Sequence, residues 1–394
     1  MLTVKNPDKH YCSGRLEKAQ HGVTVFYSWS ILNSFRLLVK LDSLLSVLYR
    51  IFGRRLKTSV FLNLFGIPDV LIGWIPLSVL KGIKLIRKYD IDIIYVSSKP
   101  FSSALIGALL KKVTGKPLVV DMRDPTIAFP FYLGDDSLPF KFYVKATKCF
   151  ETKILRRVDK LVFVSEMTEQ AYLSAYPFLE NKTTYIYNGF FSEFFLQENQ
   201  KSFDSFTLVY VGNYYPHCQD SELLFQALRK IISQKRIPKG NIKFLYLGSD
   251  KKWVEEISWK YDLSEIVICP GRVSRQESIN SLAKASVIFL RIVEDMISTK
   301  LYEGLATGIP LLSAISNREV LAIIEEYSPQ SINSEPHNSD ALADAIECLY
   351  CRWKQKEGYG LPNERYLKHF NKEALTNEFA SELDTLISSK RFDY

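Results

Sequence analysis

From about residue 68 onward, short apolar runs alternate with longer amphipathic ones, and this rhythm limits the fold more than any single motif. The first apolar runs are "DIIYVSS" (92–98), "PLVVD" (117–121), "KLVFVS" (160–165) and "TTYIYN" (183–188). They are rich in Val, Ile and Tyr and have strand length. Between them lie "SSALIGALLKKVTG", "FKFYVKATKCFETKILRRV" and "EMTEQAYLSAYPF", whose apolar residues recur at helical spacing. Near-continuous apolar strands separated by helices imply parallel strands buried on both faces, hence an α/β class. The polar stretch "FFSEFFLQENQKSFDS" (190–205) breaks the rhythm, which restarts with "FTLVYVG" (206–212), a helix from about 219, "IKFLYLGS" (242–249), "EIVICPG" (265–271), "ASVIFLRI" (285–292) and "IPLLSAI". Two doubly wound halves follow. The expected domains are residues 1–195 and 204–371, with a terminal helix over about 372–394 packing back on the first.

The 394 residues suffice for two full cores, and 47% hydrophobic with 24% charged residues is ordinary for a globular chain. The net charge of +8 suits nucleic acid, an anionic membrane surface or a phosphate-bearing ligand without choosing among them. No nucleic-acid motif accompanies it, so nucleic acid is not an expected partner. The start "MLTVKNPDKHYC" has no apolar signal core, and no 18-residue apolar run suggests a spanning helix. Six scattered cysteines form no framework, which points to reduced thiols in the cytosol. Cys348 and Cys351 lie in the helical "ADAIECLYCRW" without a second ligand pair, so they read as helix residues rather than a metal or redox site.

Chemistry concentrates at strand ends. In open parallel sheets ligands bind beyond the carboxyl ends of the strands, and two such sheets are expected to face an inter-domain cleft. In "ISTKLYEGLATGIPLLSA" (297–314), Ser298 and Thr299 cap a helix whose first turn holds Lys300. Glu303 either complements the helix start or accepts hydrogen bonds from vicinal hydroxyls such as those of a ribose. Phosphate beside ribose is the layout of a nucleotide. Gly212 ends a strand before a helix, a turn that serves either structure or ligand approach. Neither Gly-x-Gly-x-x-Gly nor Gly-Lys-Ser/Thr is present, so neither a nicotinamide fold nor a P-loop is supported. In the first half, Arg123 and Asp124 follow a buried strand. They either bind phosphate and orient an acceptor hydroxyl, or bridge each other. Ser97, Ser98 and Lys99 end another strand, and Ser165 is expected to cap the next helix.

"TKLYEGLATGIPLL" closely resembles the Lys-x-x-Glu-x-x-Ala-x-Gly-x-Pro signature of the retaining GT-B glycosyltransferases, specifically glycosyltransferase family 4. "YVGNYY" resembles the family's first nucleotide-domain turn. "VICPGRVSRQESINSLAKASVIFL" resembles the stretch holding the nucleobase. "VDKLVFVSEMTEQAYLSAYP" with "TTYIYNGF" resembles the segment before the hinge. "KPLVVDMRDPT" resembles a loop of a bacterial branch that builds surface polysaccharides such as lipopolysaccharide or capsule. The likeness runs over about residues 65 to 390.

The resemblance implies a GT-B architecture of two Rossmann-like domains, acceptor on the first and nucleotide sugar on the second. It implies transfer of a sugar from a UDP- or GDP-sugar to a polysaccharide or lipid-linked acceptor, with retention, no cofactor and no metal. Under it, Glu303 binds the ribose, and Lys300 with the Thr299 amide contacts phosphate. Gly212 and Asn213 approach the diphosphate or the sugar, and Arg272 and Val273 flank the base. Asp295, beside Glu294, stands where many members carry Glu, and with Arg123 and Asp124 completes the expected catalytic set. The family's Arg and Lys after the first turn are absent. "NYYPHCQDSELL" offers Tyr214, Tyr215 and His217, leaving phosphate neutralisation to the helix end, Lys300 and Arg272. "MLTVKNPD" looks like the end of the family's second strand and "HGVTVFYSW" (21–29) like its third, so a late annotated start is expected. The basic amphipathic segment 34–65 is expected either to touch the cytoplasmic face of the inner membrane or to pack on the first domain. The alternative to an enzyme is a non-catalytic or impaired GT-B subunit binding nucleotide or a partner. A GT-B epimerase lacks recognisable acid and base carboxylates.

Overall fold

The computed structural model describes residues 1–4, 22–31, 34–52, 59–67, 69, 71–124, 137–192, 202–216, 220–292, 297–355 and 362–391. Its contacts divide the chain into two units, Met1–Ile186 with Phe379–Tyr394, and Tyr187–Glu378.

The first unit begins with β1 (Leu2–Val4) and β2 (Phe26–Ser28), a parallel pair in which Leu2 lies opposite Phe26. α1 (Ser34–Ile51) and α2 (Val60–Phe65) follow. The segment 34–65 is thus two helices rather than one. Asp42, buried on α1, accepts the backbone N–H of Phe61 at 2.8 Å and of Leu62 at 3.1 Å, satisfying amides that the start of α2 leaves open. α3 (Ile75–Lys88) leads into β3 (Ile94–Ser98), α4 (Phe101–Thr114), β4 (Leu118–Met122), α5 (Leu138–Leu155), β5 (Lys160–Phe163), α6 (Glu166–Ala175) and β6 (Thr183–Tyr185). The four strands β3-β4-β5-β6 are all parallel and sit in sequence order. β1 and β2 form their own sheet among the described residues. Every residue of β4 is buried, as an apolar run between helices requires. β3 instead alternates, with Ile94, Val96 and Ser98 buried and Tyr95 and Ser97 exposed, because it lies at an edge of its sheet. Phe379 meets the Tyr95 ring edge-on at 5.3 Å, and Lys160 pairs with Glu382 at 2.9 Å, so the last helix belongs to this core.

The second unit runs β7 (Phe206–Val211), α7 (Leu223–Ser233), β8 (Ile242–Leu247), α8 (Lys251–Lys260), β9 (Val267–Ile268), α9 (Arg275–Lys284), β10 (Val287–Leu290), α10 (Thr299–Leu305), β11 (Leu311–Ser313), α11 (Arg318–Tyr327), β12 (Ile332–Asn333), α12 (Ser339–Gln355), α13 (Glu364–His369) and α14 (Lys372–Arg391), the last continuing into the first unit. The sheet order is β12-β11-β10-β7-β8-β9, all parallel. β7 therefore starts in the middle, the chain winds outward to β9, then returns to the other side of β7. That reversal makes β7 and β10 the switch point of a doubly wound sheet. The strand expected over 265–271 shrinks to two residues, because Pro270 has no N–H to donate and Gly271 turns at φ +97°. Phe206, Leu208, Val209, Phe244 and Leu312 are fully enclosed. Cys348 and Cys351 lie on α12 and are exposed.

Candidate active site

The carboxyl ends of β7, β8 and β10 build the candidate site of the second unit. Gly212 leaves β7 at φ +135°, a conformation that favours glycine, while its N–H still donates to the Leu247 carbonyl at 3.0 Å. A Cβ on Gly248 would lie 2.0 Å from the Gly212 oxygen, so the two strand ends approach because Gly248 carries no side chain. Beyond Gly212 the chain turns inward. The Asn213 carbonyl accepts from the Tyr210 hydroxyl at 2.7 Å, and its side-chain oxygen accepts from Ser249 Oγ at 2.5 Å. Tyr214 is buried, its N–H donating to Asp250 Oδ2 at 2.7 Å and its ring 5.1 Å from that of Trp253. Tyr214 is therefore a core residue of the turn. Burial pushes its phenol far above the usual range. His217 lies outside the described residues.

Arg291 follows β10. Val287 lies opposite Leu208 and Ile288 opposite Val209, so the ends of β10 and β7, which Arg291 and Gly212 follow, lie side by side. Its guanidinium donates to the Tyr214 carbonyl and lies 5.1 Å from the Tyr214 ring centre. The site gains here a cation that the family signature does not announce.

α10 begins nearby in the chain. Ser298 caps it, its Oγ accepting from the Lys300 N–H at 3.2 Å. The helix is seven residues long, about two turns, so its dipole is short and side-chain charge must dominate. Glu303 is only 5% exposed and faces two cations. Lys300 Nζ lies 2.6 Å from Oε2, and Arg275 Nη2 lies 3.2 Å from Oε1. Arg275 is the first residue of α9, whose start is fixed by a capping box of Ser274 and Glu277, and its guanidinium stacks 4.8 Å from the Phe191 ring. Arg272 is exposed and Val273 partly buried in the loop leading to that cap. Lys300, Glu303 and Thr299 thus come together on α10, while Gly212 and Asn213 share the β7 turn. Asp295 and Glu294 lie outside the described residues.

In the first unit the expected pairings change partners. Arg123 Nε lies 2.8 Å from Asp121 Oδ2, and the Tyr95 hydroxyl donates to the same oxygen at 2.7 Å. Asp124 pairs with Lys99 at 3.6 Å, both half-exposed. The mutual Arg123–Asp124 bridge therefore gives way to two separate ones. Asp121 lies within β4, while Arg123 and Asp124 both follow its end at Met122, Arg123 reaching back to Asp121 and Asp124 reaching Lys99. Burial, then the Asp121 charge, push the Tyr95 phenol up to about 12. Burial pulls the Arg123 guanidinium down, but the Asp121 carboxylate outweighs it and leaves it above its usual value. The Arg123 N–H also donates to the Ser98 carbonyl at 3.2 Å. Ser98 itself is buried, and its Oγ has no partner. Ser165 caps α6, accepting from the Thr168 N–H at 3.2 Å.

Asp121, Arg275 and Arg291 are the residues that sequence reasoning missed. Two carried a visible signal, a charge embedded in or ending an apolar run ("VVDM", "VIFLR").

Two family models match the chain. "Glycosyltransferase Family 4" covers residues 10–193, and "Glycosyl transferases group 1" covers residues 205–352. No curated protein matches it in sequence. Solved structures share the fold at low identity. HepE of Anabaena, crystallised with UDP, superposes with a TM-score of 0.60 at 15% identity, over 80% of this chain and 84% of that one. Sucrose-phosphate synthase of Thermosynechococcus elongatus gives 0.62 at 18%, over 81% and 79%. A glycosyltransferase of Rickettsia africae gives 0.60 at 17%, over 79% and 82%. With one glycosyltransferase model on each half, in order, and two parallel α/β units of matching fold, the chain belongs to the glycosyltransferases of GT-B fold.

Proposed function

We propose that the chain moves a sugar, with retention of anomeric configuration, from a nucleoside diphosphate sugar to a polysaccharide or lipid-linked oligosaccharide acceptor. The observation that carries this reading is Glu303, enclosed beside the β7/β10 switch point between Lys300 and Arg275. An ionised, oriented carboxylate there suits the vicinal hydroxyls of a ribose. Lys300 is the phosphate contact once donor binding draws it from Glu303, with the Thr299 amide beside it. Gly212 and Asn213 line the diphosphate, and Arg272 and Val273 the base. UDP is the favoured nucleotide, since HepE, of the same fold, was crystallised with UDP and with UDP-glucose.

In the proposed step, the acceptor hydroxyl attacks the anomeric carbon from the face that the diphosphate leaves. The carbon–oxygen bond to phosphate breaks, and the hydroxyl proton passes to the departing phosphate oxygen. The nucleotide sugar is a substrate, and no cofactor enters. Arg123 and Asp124 hold the acceptor in the first unit, with Asp121 and Lys99 fixing their side chains, and Asp295 touches the transferred sugar. The chain works at the cytoplasmic face of the inner membrane, which the basic amphipathic segment 34–65 touches, in building lipopolysaccharide or capsule. Among the described residues no helix is long and apolar enough to cross a membrane.

Donor turnover by a panel of UDP- and GDP-sugars, with NMR of the product anomer, tests this reading. Glu303→Ala should lower kcat/KM about tenfold to a hundredfold, the worth of charge-assisted hydrogen bonds. Equal turnover by variant and parent would remove Glu303 from the site. An inverted product would remove retention.

A further inference from the structure

We propose that Arg291 is the cation that grips the donor diphosphate, taking over from the β10 side the charge that the loop after β7 lacks. The inference rests on the nucleotide-sugar reading above and adds to it a residue that no motif of the chain announces.

Three observations carry it. First, Arg291 stands at the switch point itself: it directly follows β10, the strand beside β7, and reaches the Tyr214 carbonyl in the turn after Gly212, where a doubly wound sheet takes its ligand. Second, among the described residues of the loop after Gly212, 213–216, none is a cation. Asn213 is tied to Tyr210 and Ser249, and Tyr214 is folded into the core. Third, α10 is too short for its dipole alone to balance a diphosphate, and Lys300 adds only a single charge against two phosphates. A further positive charge is needed, and Arg291 is only partly buried at that edge.

Its present contacts fit the task. The guanidinium rests on the Tyr214 ring and donates to the Tyr214 carbonyl. Stacking and one hydrogen bond hold a planar fork in place, and its geometry matches two oxygens of a phosphate. The same contact braces the loop that leaves Gly212, so one side chain shapes the turn and charges it.

Calorimetry on the full chain separates these two roles. UDP and uridine are titrated into the parent, Arg291→Lys and Arg291→Gln, with GDP and guanosine as the second pair. UDP affinity should fall about tenfold to a hundredfold in Arg291→Gln, the worth of a charged pair, and should recover in part in Arg291→Lys. Uridine affinity should change by less than about threefold, because a nucleoside has no phosphate to lose. Equal losses for UDP and uridine would mean that Arg291 only braces the loop, and would overturn the proposal. So would unchanged UDP affinity in Arg291→Gln. A parent that binds UDP or GDP while Arg291→Gln binds it equally well refutes this inference alone. A parent that binds neither removes the nucleotide-sugar reading first.

Discussion

Glu303 and Asp69 show how single carboxylates are used differently inside the same chain. Glu303 is enclosed between two cations, Lys300 and Arg275. Asp69 has no cation among its described partners and relies on amides: Leu71 N–H to Oδ1 at 2.8 Å and Ser102 N–H to Oδ2 at 2.6 Å. Burial nevertheless outweighs those hydrogen bonds and raises its pKa above the ordinary aspartate value. The sign of the linkage follows. A carboxyl raised on folding stabilises fully below its unfolded value, and that stability is lost as pH rises through the folded value. Asp69→Asn carries no such loss. It should be less stable than the parent at low pH, because an amide offers only one oxygen to the two N–H groups. The gap should narrow as pH rises from about 4, the ordinary aspartate value, through the raised folded one. Urea midpoints of both chains across that range measure it, and a gap that stayed flat or widened would contradict the raised value.

At the scale of elements, the site depends on how closely strand ends come together. Gly248 is the sharpest instance, since its missing side chain leaves room for both the Gly212 carbonyl and the Tyr246 hydroxyl, 2.0 and 2.2 Å from where a Cβ would sit. Gly248→Ala must push β7 and β8 apart at the turn that leads to Asn213. The expected cost is about 1–3 kcal/mol, as for other overpacked sites, with UDP binding weakened as the turn shifts. Gly240→Ala, with nothing within 4 Å of its Cβ, is the comparison and should match the parent. Thermal unfolding and UDP titration decide it, and a Gly248→Ala chain equal to Gly240→Ala in both would show that the turn tolerates the methyl. These close approaches explain what the sequence could and could not reveal. The buried runs around Val119, Val120, Val209 and Ile288 were legible as strands because burial on both faces demands apolar residues. Glu303 and Lys300 were legible as neighbours because helical spacing places residues three apart on one side. Arg291 on Tyr214, 77 residues away, was not legible, because it needs β10 to return beside β7, and alternation is silent on strand order. Tyr95 beneath Asp121 likewise depends on the β3–β4 register.

At the scale of the whole molecule, net charge and exposed apolar surface point the same way. The charge is +8, and in the first unit α1 buries Leu38 and Asp42 while Leu44, Leu48 and Ile51 on the outward side are 63%, 52% and 71% exposed. Phe52 after α1, Phe65 of α2 and Leu138 of α5 are more than half exposed as well. Lys40 and Arg50 share α1 with the apolar stripe, whereas Arg54, Arg55 and Lys57 lie outside the described residues and Arg36 carries no described side chain. An outward apolar stripe is costly in water unless something covers it, and rows of lysine and arginine favour an anionic bilayer as the cover. Each basic residue near such a surface adds about 1 kcal/mol, and the apolar stripe adds the area it buries. Both contributions are needed, which gives the test two arms. The full chain should sediment with vesicles containing phosphatidylglycerol and remain in solution with phosphatidylcholine alone. Replacing Leu44, Leu48 and Ile51 together by Ser should abolish sedimentation with anionic vesicles while helical circular dichroism is kept, since Leu38 and Asp42 on the packed face are untouched. Undiminished binding by that triple variant would assign the outward face of α1 to something other than lipid.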